Sequence, residues 1–101
     1  MKVTRVQYTV RADFVVENKR NIDAVMRELS ALGRSDVKYA VYLHADGKTF
    51  MHVAHQNTPD AEKMPTSLEA FKRFQARLKE HLEVAPKVET FDLVQSSSPI
   101  F

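Results

Sequence analysis

The sequence predicts an α+β fold with its elements in the order β-α-β-β-α-β. Three observations point there: period-two alternation in strand-like runs, two stripes of apolar residues at helical spacing, and an Asp46-Gly47 pair between two such runs. A chain of 101 residues is one domain by size, large enough for a core but not a generous one.

In "VTRVQYTVRA", residues 3 to 12, Val6, Tyr8 and Val10 fall on one side and Arg5, Gln7, Thr9 and Arg11 on the other. That is a strand with one apolar face. From about Asp13, a reasonable N-cap, the period lengthens: Ile22, Val25, Met26, Leu29 and Leu32 recur at helical spacing, and Gly33 follows where a left-handed residue is wanted. Residues 37–44 and 48–56 are rich in β-branched and aromatic types, and Asp-Gly between them predicts a two-residue hairpin turn with both central residues at positive φ. "NTPDAEKMP" reads as a polar connection, and "TSLE" offers a capping box in which Thr66 bonds ahead and Glu69 reaches back. Leu68, Phe71, Phe74, Leu78 and Leu82 stripe a second helix, Pro86 ends that region, and "KVETFDLVQ" is the last strand. Both glycines and all four prolines are expected outside element interiors. The pattern is that of a ferredoxin-like sandwich, a four-stranded antiparallel sheet with two helices on one face. The domain is expected over residues 1–95, with 96–101 a C-terminal tail.

Composition excludes several classes of function. Hydrophobic residues at 44% and charged residues at 28% describe a folded chain rather than a disordered one. A net charge of +2, without a clustered patch, argues against nucleic acid and against an anionic membrane surface. The absence of cysteine excludes disulfides, thiolate metal sites and a cysteine nucleophile. "MKVTRVQYTV" lacks the apolar stretch of a signal peptide, so the expected location is the cytoplasm.

"GKTFMHVAHQ" raises the question of a histidine site. A two-residue turn at Asp46-Gly47 sets Thr49 opposite His44 and His52 opposite Val41. His52 and His55 then point to opposite faces, and His44 and His55 lie roughly 20 Å apart along the strand. Zinc–nitrogen bonds are about 2 Å, so no metal site is expected from these residues. His81 reads as a solvated residue near a helix C-terminus. His52 has the most apolar company, with Phe50 and Ala54 on its side and Tyr39, Val41 and Leu43 across the hairpin. It is either a buried structural histidine or a group that orients a ligand or moves a proton.

The last strand is apolar on both sides, with Phe91 and Leu93 alternating against Val88 and Val94. A sheet with two partly apolar faces wants a second cover, and another copy of itself is the simplest. Two such sheets face to face would enclose a lumen lined by the expected ligand-binding residues Gln7, Thr9, Arg11 and Phe50, with His52 the candidate catalytic group.

Taken with "VQYTVRA", "NKRNIDAVMRELSALG", "TFMHVA" and "SLEAFKRFQARL" before "LVQS", the chain resembles the dimeric α/β-barrel superfamily over residues 3–95. That group includes antibiotic-biosynthesis-monooxygenase-like and stress-responsive barrel proteins. "TFMHV" followed by "LEAFKRFQ" resembles a ferredoxin-like subgroup of it without an assigned activity. The resemblance implies pairing as a dimeric α/β barrel. Its members include monooxygenases that use no conventional cofactor, haem-degrading proteins and polyketide-cyclase-like proteins. The haem-degrading members rely on a tryptophan, and this chain has none. The cyclase-like members place a histidine on the first strand, where this chain has Gln7 and Tyr8.

Two readings of function stay open. One is a homodimer that binds a small hydrophobic or oxygenated molecule in a cavity, acting as a monooxygenase- or cyclase-like enzyme without a cofactor, with His52 as base or orienter and Arg11 offering charge to an enolate or carboxylate. The other is a non-catalytic structural or regulatory homodimer. RNA-recognition domains share the element order but need stacked aromatics on both central strands, and only Phe50 is so placed here.

Overall fold

A computed structural model describes residues 1–101. Its elements are β1 (Lys2–Val10), α1 (Val15–Ala31), β2 (Val37–Leu43), β3 (Thr49–Gln56), α2 (Pro59–Ser67), α3 (Glu69–Leu78) and β4 (Leu82–Asp92). The four strands form one antiparallel sheet in the order β2-β3-β1-β4. This is the ferredoxin-like order with one helix more than the sequence pattern suggested.

One face of the sheet is covered. Along β3 the buried residues alternate as Phe50, His52, Ala54 and Gln56, and on β1 Tyr8 and Val10 share that side. These pack against Phe14, Val25 and Leu29 from the α1 region and Leu68, Ala70, Phe74 and Leu78 of α3. Each large side chain in that layer contributes roughly 1.5–3 kcal/mol by leaving water. The Glu17 carboxylate of α1 accepts two bonds from the Arg77 guanidinium of α3, at 2.8 and 2.9 Å, which fixes the two helices against each other at their rim.

The hairpin has the expected register, Val41 opposite His52 and Lys38 opposite His55. Its turn differs. The loop runs from His44 to Thr49, Gly47 N–H donates to the His44 carbonyl, and only Gly47 takes positive φ, at 79°. Asp46 stays at negative φ because its carboxylate accepts from the Lys48 and Thr49 amides and the Thr49 hydroxyl, locking an Asx turn. Those bonds pull the Asp46 carboxyl down to about 2, with the Thr49 hydroxyl the leading cause.

The helix ends also depart from expectation. Asp13 is not a cap; it lies in a short 3-10 turn, Ala12–Phe14, paired with Arg11, and α1 starts after it. "TPDAEKMPTS" is α2 rather than a connection. Thr58 caps it by accepting from the Ala61 amide, Pro59 fills the first turn where no N–H is needed, and Pro65 falls near the end. The helix therefore ends where Thr66 was expected to open one. The Thr66 hydroxyl donates back to the Lys63 carbonyl, and the capping box does not form. Glu28 of α1 caps α3 instead, accepting from the Ala70 amide at 3.0 Å across the helix pair.

β4 begins earlier than the pattern suggested. Leu82 pairs with Val10, and Pro86 sits inside the strand where its register against β1 shifts, between Lys87 opposite Gln7 and Val84 opposite Thr9. β4 is an edge strand, so a residue without N–H costs no ladder bond on its free side. Of the prolines, only Pro99 lies outside an element.

The tertiary cap is testable. Glu28→Ala should destabilise the fold by about 1 kcal/mol in urea unfolding, since an orphaned helix-terminal amide replaces a charge-assisted bond. An unchanged midpoint would show that the Ala70 amide is satisfied by water.

Candidate functional site

His52 sits in the middle of β3, on the covered face, at 5% exposure. A histidine that deep needs partners for both ring nitrogens. Tyr8 from β1 places its hydroxyl 2.7 Å from Nε2, and Tyr39 from β2 places its hydroxyl 2.6 Å from Nδ1. The register explains the convergence, because Tyr8 lies beside Phe50 on one flanking strand and Tyr39 beside Ala54 on the other, each one pleat repeat from His52. Asn18 of α1 closes the set from above, its Nδ2 donating to the Tyr8 hydroxyl at 3.0 Å while its Oδ1 has no partner. Phe74 tilts over the imidazole with ring centroids 5.4 Å apart.

Burial sets the electrostatics. With no acidic neighbour to hold a proton, desolvation pulls His52 down to about 4, so the ring is neutral at physiological pH. Burial pushes both phenols above their usual range. The cluster is uncharged.

A cavity of about 270 Å³ opens between the sheet and the α2–α3 pair, with His52 and Tyr39 in its floor. Val6, Ala54, Pro65, Phe71 and Val88 supply apolar wall, and Thr4, Gln56, Glu62 and Gln75 supply polar rim. A second hollow, about 410 Å³, continues outward past Lys2, Gln56 and Glu62 to the ends of β1 and β4. Gln56 ties α2 to the sheet: its Oε1 accepts from Thr4, and its Nε2 donates to the Glu62 carbonyl at 3.3 Å. A pocket with apolar wall and polar groups that fix orientation is the common form of a small-molecule site; this one has 5 hydrophobic residues among 13 and lies just below the usual range of about 300–1,000 Å³.

The structure separates the residues the sequence grouped around one lumen. His52 and Phe50 are on the covered face, where Phe50 stacks on Tyr8 within the core and does not line the cavity. Gln7 and Thr9 are on the uncovered face; Gln7 accepts from Arg5 and Thr9 bonds Thr49. Arg11 lies past the end of β1, exposed and paired with Asp13 at 2.9 Å. A single cavity cannot hold all five, because side chains on opposite sides of a pleat do not converge.

Of the other histidines, His55 faces away from His52, His44 lies in the hairpin loop, and His81 stacks on Phe14 at 4.0 Å beyond the end of α3. No three histidine or acidic side chains converge. The sequence reading passed over Asn18, Tyr39 and α2. Asn18 had a signal, since it occupies the apolar stripe with Ile22, Val25 and Leu29 and so is a polar residue at a core position. Tyr39 was visible only as a neighbour of His52, and its role depends on the cavity that α2 closes.

Neutral His52 has a consequence for stability. Unfolded, it titrates near 6.5; folded, near 4. Between these values the unfolded chain binds more protons, so the stability present above pH 6.5 falls as the pH drops toward 4, by about 3 kcal/mol. NMR titration of His52 should find its midpoint near 4; a midpoint near 6.5 would contradict its enclosure.

No protein-family model matches the chain, and no curated protein matches it by sequence. Solved structures do match its fold. An antibiotic biosynthesis monooxygenase superposes with a TM-score of 0.80 at 12% identity, over 94% of this chain and all of the other. Rv0793 from Mycobacterium tuberculosis gives 0.79 at 16% identity, over 96% and 98%. A variant of SnoaB, a cofactor-independent oxygenase from Streptomyces nogalater, gives 0.72 at 14% identity, over 97% and 98%. The chain thus shares the ferredoxin-like fold of these solved structures.

Proposed function

We propose that the protein is a homodimer whose subunits each bind a small, partly apolar, oxygen-bearing molecule in the cavity beneath α2. The observation that carries this reading is the cavity floor, where neutral His52 and the Tyr39 hydroxyl stand beside the apolar wall of Phe71, Ala54 and Val88. Such a floor offers hydrogen bonds without charge, which suits a neutral oxygen function rather than a carboxylate or an amine. His52 orients; with a midpoint near 4 it is too weakly basic to be a general base near neutral pH.

SnoaB, of the same fold, is a cofactor-independent oxygenase. An oxygenation of that kind is the catalytic form of the proposal, with Tyr39 and His52 holding the substrate. The low basicity of His52 favours, as the second reading, a homodimer that binds its ligand without turning it over. Oxygen uptake in the presence of bound ligand separates the two.

The dimer is proposed through the uncovered face. Tyr42 and Phe91 stand there 55% and 45% exposed, with Val84 on the same side, and Gln7 and Thr9 would lie between the two sheets. These apolar residues stand at the two opposite edges of the face, and a two-fold axis in front of it would cover both edges at once.

Light scattering at micromolar concentration should give a mass near twice 11.6 kDa, and Tyr42→Asp should reduce it to the monomer. A wild-type monomer would sink the dimer. For the cavity, saturation-transfer NMR with a set of small aromatic ketones and phenols should find binders that Thr66→Trp, an exposed rim change, weakens about tenfold, equivalent to 1.4 kcal/mol. Binding indifferent to Thr66→Trp would place the ligand elsewhere.

A further inference from the structure

Four buried or half-buried side chains form one unbranched hydrogen-bonded chain: Asn18, Tyr8, His52 and Tyr39. A chain of this composition has a sense. Neutral imidazole has one donor nitrogen and one acceptor, and each phenol has one hydrogen to give. Once one end is fixed, every bond along it is fixed.

With the Asn18 amide donating, the Tyr8 oxygen accepts and its own hydrogen goes to His52 Nε2. The ring proton must then sit on Nδ1, which donates to Tyr39. The Tyr39 hydrogen has no protein acceptor, since His52 is its only side-chain partner, and Tyr39 lines the cavity. Turning the Asn18 amide by half a turn reverses everything. Tyr39 would donate to Nδ1, Nε2 to Tyr8, and Tyr8 to the Asn18 carbonyl, leaving only lone pairs for the cavity.

The unpaired group decides between them. In the first sense Asn18 leaves its buried carbonyl oxygen and one amide hydrogen unpaired, while the unpaired Tyr39 hydrogen faces the cavity. In the second, the amide nitrogen with both its hydrogens takes that unpartnered place. Buried orphan carbonyls are tolerated more often than buried orphan N–H groups.

We infer that the chain runs outward from Asn18, and that Tyr39 is therefore the hydrogen-bond donor to a neutral ligand that enters with an acceptor: a carbonyl, an ether or a ring nitrogen. Asn18 and Tyr8 touch no ligand; they are positioning residues that act through His52. The inference deepens the reading of the cavity as a ligand site and rests on it. A ligand that can only donate, such as an ammonium group, would need a Tyr39 lone pair and must compete with the Nδ1 hydrogen already there.

The test needs no ligand. In protein labelled with ¹⁵N-histidine, two-bond proton–nitrogen NMR at pH 7 should show His52 with Nδ1 protonated and Nε2 bare. A spectrum with Nε2 protonated overturns the outward sense. Asn18→Asp provides the switch, because an ionised carboxylate can only accept and must draw the Tyr8 hydrogen. His52 should change to the Nε2-protonated form by more than tenfold in population as that carboxyl, held protonated longer by its burial, ionises with rising pH. The other titratable groups facing the ring are Tyr8 and Tyr39, with Lys2 and Glu62 farther out at the cavity rim. Retention of the Nδ1 form to pH 9 overturns the role of Asn18. If that variant does not fold, the wild-type spectrum alone still decides the sense. Because the readout is ligand-free, its failure and a failure of ligand binding are distinguishable.

Discussion

A histidine in the core of so small a domain is stable only if both its nitrogens are satisfied, and the rest of the architecture follows from how this chain satisfies them. Tyr8 and Tyr39 reach His52 from the two strands that flank it, so the sheet order β2-β3-β1 is also the order of the hydrogen bonds. Replacing either phenol by an apolar ring would leave a buried nitrogen unpaired, at a cost of about 1–3 kcal/mol. An all-apolar core would avoid that hazard. The polar cluster persists beneath a cavity, which is where a departure from core packing most often reflects use.

The cavity depends on α2. Ala61 and Met64 pack this helix onto the core, and polar links hold it at two further places. Gln56 holds its middle, and at its start Arg34 bridges Asp36 and Asp60 while the Thr58 hydroxyl donates to Asp36. The Arg34 guanidinium and, after it, Thr58 hold the Asp36 carboxyl well below the usual carboxylate range. The Arg34–Asp36 pair therefore stays charged well below the usual carboxylate range, and it holds the start of α2, the roof of the cavity, in place. α2 runs two residues past the buried Pro65 and ends where Leu68 turns extended, with ψ at 136°, before α3 begins.

The succession of strands along the chain and the hairpin register were legible because they rest on local signals. Alternation on β1 put Tyr8 on the apolar side, and the Asp46-Gly47 pair fixed which residue of β2 faces which of β3, but neither signal told which face His52 takes. The helix ends were less so, because their partners are remote in sequence. Glu28 caps an amide 42 residues away, and no local pattern announces that. α2 was hidden by its own prolines, Pro59 at a position that favours helices and Pro65 where the helix has almost finished. The candidate site was half legible. His52 stood out by its company, whereas Tyr39 and Asn18 join it only through three-dimensional closure. Gln7 and Thr9 were placed on the correct side of β1 for facing away from the helices, which is the side His52 does not occupy, whereas Arg11 falls past the end of the strand.

The central claim is that the neutral floor of His52 and Tyr39 receives a ligand. A crystal structure of the protein soaked with acetophenone tests it most directly. The account predicts the ketone between Phe71 and Val88, its oxygen within hydrogen-bond distance of the Tyr39 hydroxyl. Acetophenone bound only on the uncovered face beside Gln7 and Thr9, with the cavity under α2 empty, would contradict it.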